Sequence, residues 1–138
     1  MNAYWDSSIL LALALDESHQ LIDWQSHERR IGSELVNVEC FRSLDRIQLS
    51  GRSTPEKIFK AREHLYVLLA MLDVIPLHGE ILRRASEPFP LPVRTLDAIH
   101  LSTAMAWRDR YEQEPVFATH DKALAKAAVT MGFLVVGV

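Results

Sequence analysis

The chain begins with a short apolar strand that passes directly into a helix, and this junction constrains the fold more than any other feature. Residues Asn2 to Asp6 have the character of a buried strand that ends in a carboxylate, and Ser7 to Leu15 follow as an apolar helix. A strand that leads straight into a helix indicates the first half of a β–α–β unit, in which the strands run parallel. The sequence therefore predicts an α/β fold.

The same alternation of strand and helix continues along the chain. Further strands are predicted at Asp73–Leu77, Pro115–Thr119 and Phe133–Val136, and Arg29–Gly32 is predicted as a weak strand or a connector. Further helices are predicted at Ser18–His27, Ser33–Ser50, Thr54–Leu72, Gly79–Ala85, after Arg94, and at Lys122–Met131. The three prolines between Glu87 and Val93 require a loop. We therefore expect a mostly parallel sheet of about four to five short strands flanked by helices.

Length and composition indicate one globular domain over residues 1–138. The chain has 138 residues, of which 49% are hydrophobic and 24% charged, so it can bury a core without disulfides or metal staples. The formal net charge of −3 argues against a generic cation that binds nucleic acid or anionic membrane through overall charge. If four carboxylates are set aside as a metal pocket, however, the remainder carries +1, so a basic rim around an acidic pocket is compatible with the composition.

The cellular setting is predicted from the cysteine count and the N-terminus. Cys40 is the single cysteine, so no intrachain disulfide can form, and its apolar surroundings favour a core residue over a nucleophile. The apolar run from Ile9 to Leu15 is too short to span a bilayer and follows Asp6 rather than a basic segment. We therefore expect a cytoplasmic protein without a membrane anchor.

Helical spacing predicts which faces of two long helices are buried. In the helix after Arg94 the predicted stripe consists of Leu96, Ile99, Thr103 and Ala106. In the helix after Ser33, which Ser33 itself should cap, the predicted stripe consists of Leu35, Val38, Phe41, Leu44 and Ile47.

Four acidic residues occupy positions from which they can reach one edge of such a sheet. Asp6 and Asp121 follow strands, Asp97 lies in the first turn of its helix, and Glu39 lies near the apolar side of a long helix. Each has an ordinary explanation: a helix cap for Asp6 and Asp121, a favourable helix-start charge for Asp97, and an ion pair with Arg42 for Glu39. Ligands of parallel sheets nevertheless bind beyond the carboxyl ends of the strands, where these acids can converge. Gathered there, they would repel one another unless Mg²⁺ or Mn²⁺, which favour oxygen ligands, neutralised them.

Three other kinds of site fit the sequence poorly. None of the five glycines belongs to a nucleotide-binding loop of the G-x-G-x-x-G or G-x-x-x-x-G-K type. A phosphoryl-accepting receiver domain would have adjacent acids after the first strand, whereas Asp6 is followed by Ser7 and Ser8. His19, Asp23 and His27 are spaced by four residues, but without a fourth ligand we interpret them as a solvated helix face.

Four motifs together give the chain a family resemblance that covers nearly its whole length. They are Asp6-Ser7-Ser8, Ser33-x-Leu35-x-x-x-Glu39, the stretch from Arg94 to Ala104, and Thr119-His120-Asp121. The set resembles the PIN-domain ribonucleases, and more closely the VapC-type toxins of bacterial toxin–antitoxin pairs. The resemblance implies a three-layer α/β/α fold. It also implies metal-dependent endonucleolytic cleavage of RNA. The alternative is a PIN-like module that binds RNA or protein without cleaving it, although retention of all four acids argues against this.

The resemblance also implies roles for individual residues. Asp6, Glu39, Asp97 and Asp121 would bind one or two Mg²⁺ ions, for which Mn²⁺ would substitute, with Asp6 and Asp97 as the firmest ligands. Glu39 could also orient the attacking water. Ser8 and Thr119 would support the ligands by hydrogen bonding, and no catalytic role is assigned to His120.

RNA binding requires basic residues outside the acidic pocket. Arg42, Arg46, Arg94 and Lys122 lie close to the acids in sequence and are candidates for phosphate contacts, although each can equally be a solvated surface charge. The resemblance further implies two protein partners: a cognate antitoxin, a segment of which would cover the pocket, and a second copy of the chain in a homodimer.

Overall fold

A computed structural model describes residues 1–17 and 27–138 of the chain. Within these ranges the strands are β1 (Ala3–Trp5), β2 (Arg30–Ser33), β3 (Asp73–Ile75), β4 (Val116–Ala118) and β5 (Val135–Val136). The helices are α1 (Ser7–Ala14), α2 (Leu35–Leu49), α3 (Pro55–Ala70), α4 (Gly79–Ala85), α5 (Thr95–Tyr111) and α6 (Lys122–Thr130). None of these helices combines the length and the apolar character needed to cross a membrane. The helix predicted at Ser18–His27, with its solvated histidine face, lies outside the described residues except for His27.

All five strands form one parallel sheet in the order β3-β2-β1-β4-β5. The predicted α/β fold and its parallel sheet are therefore confirmed. The first strand is central: Tyr4 is paired with Ile31 of β2 on one side and with Phe117 of β4 on the other. Because every strand points the same way, the carboxyl ends of β1, β2 and β4 meet at a single edge of the sheet.

Helices cover both faces of the sheet, since successive residues of a strand point to opposite sides. On one face Ala3 and Trp5 pack against the helices α1, α2 and α3. On the other face Tyr4, Ile31 and Phe117 pack against α5 and α6, and α4 packs on the outside of α5. The arrangement has the three layers, helix, sheet and helix, that the sequence resemblance implied.

The start of α2 differs from its prediction. Ser33 was expected to cap this helix, but it is the last residue of β2, where it pairs with Ile75 of β3. The N-cap is Glu34, and the Ser33 hydroxyl accepts a hydrogen bond from the Leu35 N–H at 3.1 Å. Pairing with β3 therefore extends the strand to the residue that local sequence would assign to the helix. By contrast, α3 begins as predicted, with Thr54 as N-cap and Pro55 in its first turn.

The predicted buried stripes of α5 and α2 are partly wrong. Leu96 is 48% exposed and Val38 is 62% exposed. The side chains of α5 that are buried are Ala98, His100, Leu101, Ser102, Thr103, Ala104 and Trp107, and those of α2 are Val36, Cys40 and Leu44. Apolar residues are adjacent in both helices, so two stripes one residue apart satisfy the same helical spacing, and tertiary packing selects between them.

Gly137 holds the C-terminal strand close to β4, and we expect its replacement to destabilise the fold. Gly137 has φ +105°, and a Cβ atom there would overlap the carbonyl group of Thr119. We expect Gly137→Ala to lower the free energy of unfolding by about 3 kcal/mol, measured by chemical denaturation, because backbone strain and overlap add. The control is Gly51→Ala: Gly51 has φ +72° with no described heavy atom within 4 Å, so about 1 kcal/mol of backbone strain is expected. Equal losses in the two variants would contradict the overlap.

Candidate metal centre

Asp6 lies at the carboxyl end of the central strand and is oriented by the start of α1. It is only 5% exposed and is the N-cap of that helix. Its Oδ2 atom accepts hydrogen bonds from the Ser8 hydroxyl at 2.7 Å, the Thr119 hydroxyl at 2.9 Å and the Ser8 N–H at 3.4 Å. Its Oδ1 atom lies 3.7 Å from Nε2 of His100. One carboxylate oxygen is therefore held by the protein, while the other faces the neighbouring functional groups.

The hydroxyls of Ser8 and Thr119 tie the ends of β1 and β4 together. Ser8 Oγ accepts a hydrogen bond from the His120 N–H at 2.9 Å, and Thr119 Oγ1 accepts one from the Asp121 N–H at 3.0 Å. The two hydroxyl oxygens are 3.4 Å apart. Both residues predicted to support the acids thus contact Asp6 and also fix the backbone that leads to Asp121.

Glu39 reaches the same edge from α2 and pairs with a histidine instead of the predicted arginine. Its Oε1 atom lies 2.6 Å from Nε2 of His100, whereas Arg42 forms an ion pair with Asp45 at 3.1 Å. The predicted alternative of a Glu39–Arg42 pair is therefore wrong. Asp6, Glu39 and His100 each offer one ligand atom within 4.8 Å of the other two.

Asp97 and Asp121 lie at the more exposed side of this edge, and Arg94 lies beside both of them. Arg94 Nε is 3.8 Å from Asp97 Oδ2, and Arg94 Nη2 is 3.9 Å from Asp121 Oδ2. Asp121 also caps α6, because its Oδ1 atom accepts hydrogen bonds from the N–H groups of Ala123 and Leu124 at 2.9 and 3.1 Å. The helix-cap explanation is thus correct for Asp6 and Asp121, but the cap uses only one of the two oxygens of each carboxylate.

The acids interact electrostatically across the edge. Burial raises the pKa of Asp97, and the nearby charges of Asp121 and Asp6 raise it further, while Arg94 opposes the shift. A carboxyl whose pKa rises because of neighbouring carboxylates is one that a bound cation would stabilise in its charged form.

His100 is a further member of this cluster; it lies within the motif from Arg94 to Ala104, but no role is predicted for it from the sequence. It is 1% exposed, and its Nδ1 atom lies 2.7 Å from the Tyr4 hydroxyl. Burial lowers the pKa of His100, but the hydrogen bond to Glu39 and the charge of Asp6 outweigh burial and raise it overall. The available signal was its spacing: His100 is three residues after Asp97, which places both on neighbouring positions of one helix.

Cys40 belongs to the core, as predicted. It is completely buried, and its thiol contacts the Ser7 carbonyl oxygen at 3.7 Å. Burial, with the nearby charges of Glu39 and Asp6, raises the pKa of the Cys40 thiol to about 12. The thiol therefore stays protonated at neutral pH and is unsuited to act as a nucleophile.

The four candidate RNA-binding residues are all exposed. Arg42 and Arg46 lie on α2, where Arg42 is paired with Asp45 and Arg46 donates a hydrogen bond to Ser43 at 3.0 Å. Arg94 lies beside two of the acids, as described above, and Lys122 is the first residue of α6. Ion pairs between exposed side chains are weak, so these guanidinium groups can change partners at little cost.

The donor set suits a hard divalent cation. The buried Asp6 carboxylate has one oxygen fixed by hydroxyl donors and the other directed towards Glu39 and His100. Carboxylate oxygens at this spacing, with further acids at the rim, are the ligands that Mg²⁺ and Mn²⁺ accept. The cluster is therefore a possible metal-binding site.

The fold and the cluster together define an α/β protein with an acidic, metal-compatible site at the carboxyl edge of a parallel sheet. The family model of the PIN domain matches residues 3–129, and the chain belongs to this family. It is 31% identical over 136 residues to Ribonuclease VapC46 of Mycobacterium tuberculosis strain H37Rv, an alignment that covers 96% of this chain and 95% of that protein. It is 28% identical over 138 residues to Ribonuclease VapC47 of strain CDC 1551, with 95% and 93% covered. The resemblance noted in the sequence is confirmed at the level of the family, with VapC ribonucleases as distant homologues.

Proposed function

We propose that the protein is a Mg²⁺-dependent endoribonuclease and the toxin of a toxin–antitoxin pair. The single observation that carries this proposal is the buried Asp6 carboxylate, oriented by two hydroxyls towards Glu39 at the carboxyl edge of a PIN-type sheet. The names of both relatives, which are ribonucleases, support the same reaction class.

In this proposal Asp6, Glu39, Asp97 and Asp121 hold the metal, and Mn²⁺ can replace Mg²⁺. When bound, the ion supplies Lewis-acid activation of water and neutralises the charge that develops on the phosphodiester. Asp6 is the central ligand because the Ser8 and Thr119 hydroxyls fix its orientation before any ion arrives. Glu39 would also orient the attacking water. Asp97 and Asp121 would supply further carboxylate ligands at the open side of the pocket.

Substrate binding would come from the basic residues at the rim. Arg42, Arg46 and Lys122 would contact phosphates of the RNA backbone, which fixes its position without reading its sequence. Arg94, which lies beside Asp97 and Asp121, would contact the RNA phosphate nearest to the acids.

The proposed assembly and setting follow from the same assignment. We propose that the whole chain acts as a single PIN-like domain, that a cognate antitoxin covers the pocket, and that the toxin forms a homodimer in the cytoplasm. The alternative function is a PIN-like module that binds RNA or protein without cleavage. The cluster disfavours it, since a module without metal would keep mutually repelling carboxylates for no benefit.

Cleavage of a mixed cellular RNA pool by the antitoxin-free protein tests the proposal. We expect discrete products with Mg²⁺ or Mn²⁺, none with chelator, and a rate about 100-fold lower for Asp97→Asn, a loss of roughly 2.7 kcal/mol of transition-state stabilisation. The control is Asp109→Asn, the same substitution on the same helix, where an exposed aspartate pairs with Arg84 at 2.6 Å. Its rate should be unchanged.

Two results would contradict the proposal in different ways. Undiminished cleavage by Asp97→Asn would place the reaction at another site or in a contaminant. No cleavage by a folded protein that binds Mn²⁺ and RNA would favour the binding module.

A further inference from the structure

A chain of hydrogen bonds passes from the buried Tyr4 of the sheet through the buried His100 to the partly buried Glu39. Tyr4 of β1 contacts Nδ1 of His100 at 2.7 Å, and Nε2 of the same ring contacts Glu39 of α2 at 2.6 Å. Since α2 and α5 cover opposite faces of the sheet, this chain links the two helical layers across the carboxyl edge. Tyr4 is itself immobilised by stacking on Phe117, with ring centroids 5.0 Å apart.

The chemistry of the partners fixes the position of the proton that Glu39 accepts. A carboxylate only accepts hydrogen bonds, so the proton of the short contact belongs to Nε2 of His100. Tyr4 is completely buried, and burial together with Asp6 and Glu39 raises its pKa, so it remains a phenol. In either charge state of the ring, Nε2–H donates to Glu39: in the neutral ring Nδ1 accepts the Tyr4 O–H, and in the charged ring Nδ1–H donates to the Tyr4 oxygen.

We propose that His100 is a positioning residue that holds the Glu39 carboxylate beside Asp6 in the candidate metal centre. This inference rests on the proposed metal-dependent function. His100 is the one hydrogen-bond partner of Glu39 within residues 1–17 and 27–138. A glutamate has three rotatable side-chain bonds, so without this donor its carboxylate would sample positions away from Asp6.

The geometry favours positioning over direct ligation by His100. Its Nε2 atom is 2.6 Å from Glu39 but 3.7 Å from the nearest oxygen of Asp6. To bind an ion, Nε2 would have to lose both its proton and its hydrogen bond to Glu39. Mg²⁺ also favours oxygen over imidazole nitrogen.

A pair of matched substitutions separates the two contacts of the ring. His100→Gln places an amide N–H near the position of Nε2 and can still donate to Glu39, whereas His100→Asn places its amide near Nδ1 and serves Tyr4 alone. We expect the Kd for Mn²⁺, measured by electron paramagnetic resonance, to rise about tenfold or more in His100→Asn and less than about threefold in His100→Gln. The melting temperatures of the two metal-free variants should be similar, because each loses one buried hydrogen bond.

Each other outcome overturns a specific statement. Equal Kd values in the two variants and the wild type would overturn the positioning role alone. If both variants bind weakly and wild-type Mn²⁺ shows a directly coordinated nitrogen, His100 is a ligand and the inference is wrong. If the folded wild type binds no Mn²⁺, the proposed metal centre fails and the inference fails with it.

A measurement on metal-free protein keeps the test decisive if the variants do not fold. In ¹⁵N spectra of the wild type, the Nε2–H proton of His100 should exchange slowly with water. Glu39→Ala should remove most of that protection, because the acceptor is gone. Unchanged protection in Glu39→Ala would show that Glu39 is not the partner of His100 and would overturn the inference.

Discussion

Replacement of Asp6 by asparagine should reduce metal-dependent RNA cleavage by about 10³-fold or more, the largest catalytic effect expected for this chain. The corresponding loss of transition-state stabilisation is roughly 4 kcal/mol. Asp6 is the most buried of the four acids, and its Oδ1 atom faces the centre of the cluster. Asparagine removes the negative charge there while keeping the shape of the side chain. Cleavage rates with saturating Mg²⁺ measure the effect.

The same substitution should leave the metal-free fold intact. An asparagine carbonyl oxygen can accept the hydrogen bonds that Ser8 and Thr119 donate to Oδ2 of Asp6. Loss of the charge also relieves repulsion from Glu39 and Asp97. We therefore expect an unchanged or higher melting temperature for Asp6→Asn in chelator.

Stabilisation by metal provides the second arm of this test. At a Mn²⁺ concentration of about 100 Kd, the wild type should gain roughly 2.7 kcal/mol of unfolding free energy, and Asp6→Asn almost none. Asp109→Asn, the control on the distal end of α5, should respond like the wild type. If Asp6→Asn unfolds in chelator, its inactivity says nothing about the metal. If it remains folded and active, Asp6 is not the central ligand.

The parallel sheet could be predicted from sequence because its determinants are local. Apolar runs such as Ala3 to Trp5 are followed at once by a capping acid and a helix, and each such junction specifies a strand that enters a helix. The end of β2 could not be predicted, since Ser33 extends the strand by pairing with Ile75, a residue distant in sequence. Rules for helix capping use only residues near the helix end, so they do not detect pairing between strands that are distant in sequence.

The candidate site also has parts that local sequence predicts and a contact that it does not predict. Asp6 and Asp121 follow strands, so topology alone brings them to one edge. Local spacing offers Arg42 as the alternative partner of Glu39, but the partner is His100, 61 residues later in the chain. A local ion pair between exposed side chains is weak, and the partly buried hydrogen bond of Glu39 to the His100 imidazole at 2.6 Å is favoured over it. Sequence reasoning could therefore find the acids but not the group that connects them.

The largest effect on stability is expected for Phe117→Ala. Phe117 is completely buried in β4, between Tyr4 at 5.0 Å and Phe133 at 5.7 Å between ring centroids. Removal of the ring should lower the free energy of unfolding by about 3–5 kcal/mol, because the favourable free energy of burying the ring is lost and a cavity is left in the core. For a domain of this size the melting temperature should fall by roughly 10–15 °C, measured by calorimetry or circular dichroism.

Phe59→Ala is the matched control, because Phe59 on α3 is 64% exposed and the same atoms are removed. The effect of Phe59→Ala on the free energy of unfolding should lie within about 0.5 kcal/mol.

The two variants should also differ in metal binding, since Phe117 supports Tyr4 and Tyr4 contacts His100. Phe117→Ala should therefore weaken Mn²⁺ binding even at temperatures where the variant is fully folded, while Phe59→Ala should leave it unchanged. If Phe117→Ala costs no more than Phe59→Ala, the aromatic cluster is not what fixes β1 against β4.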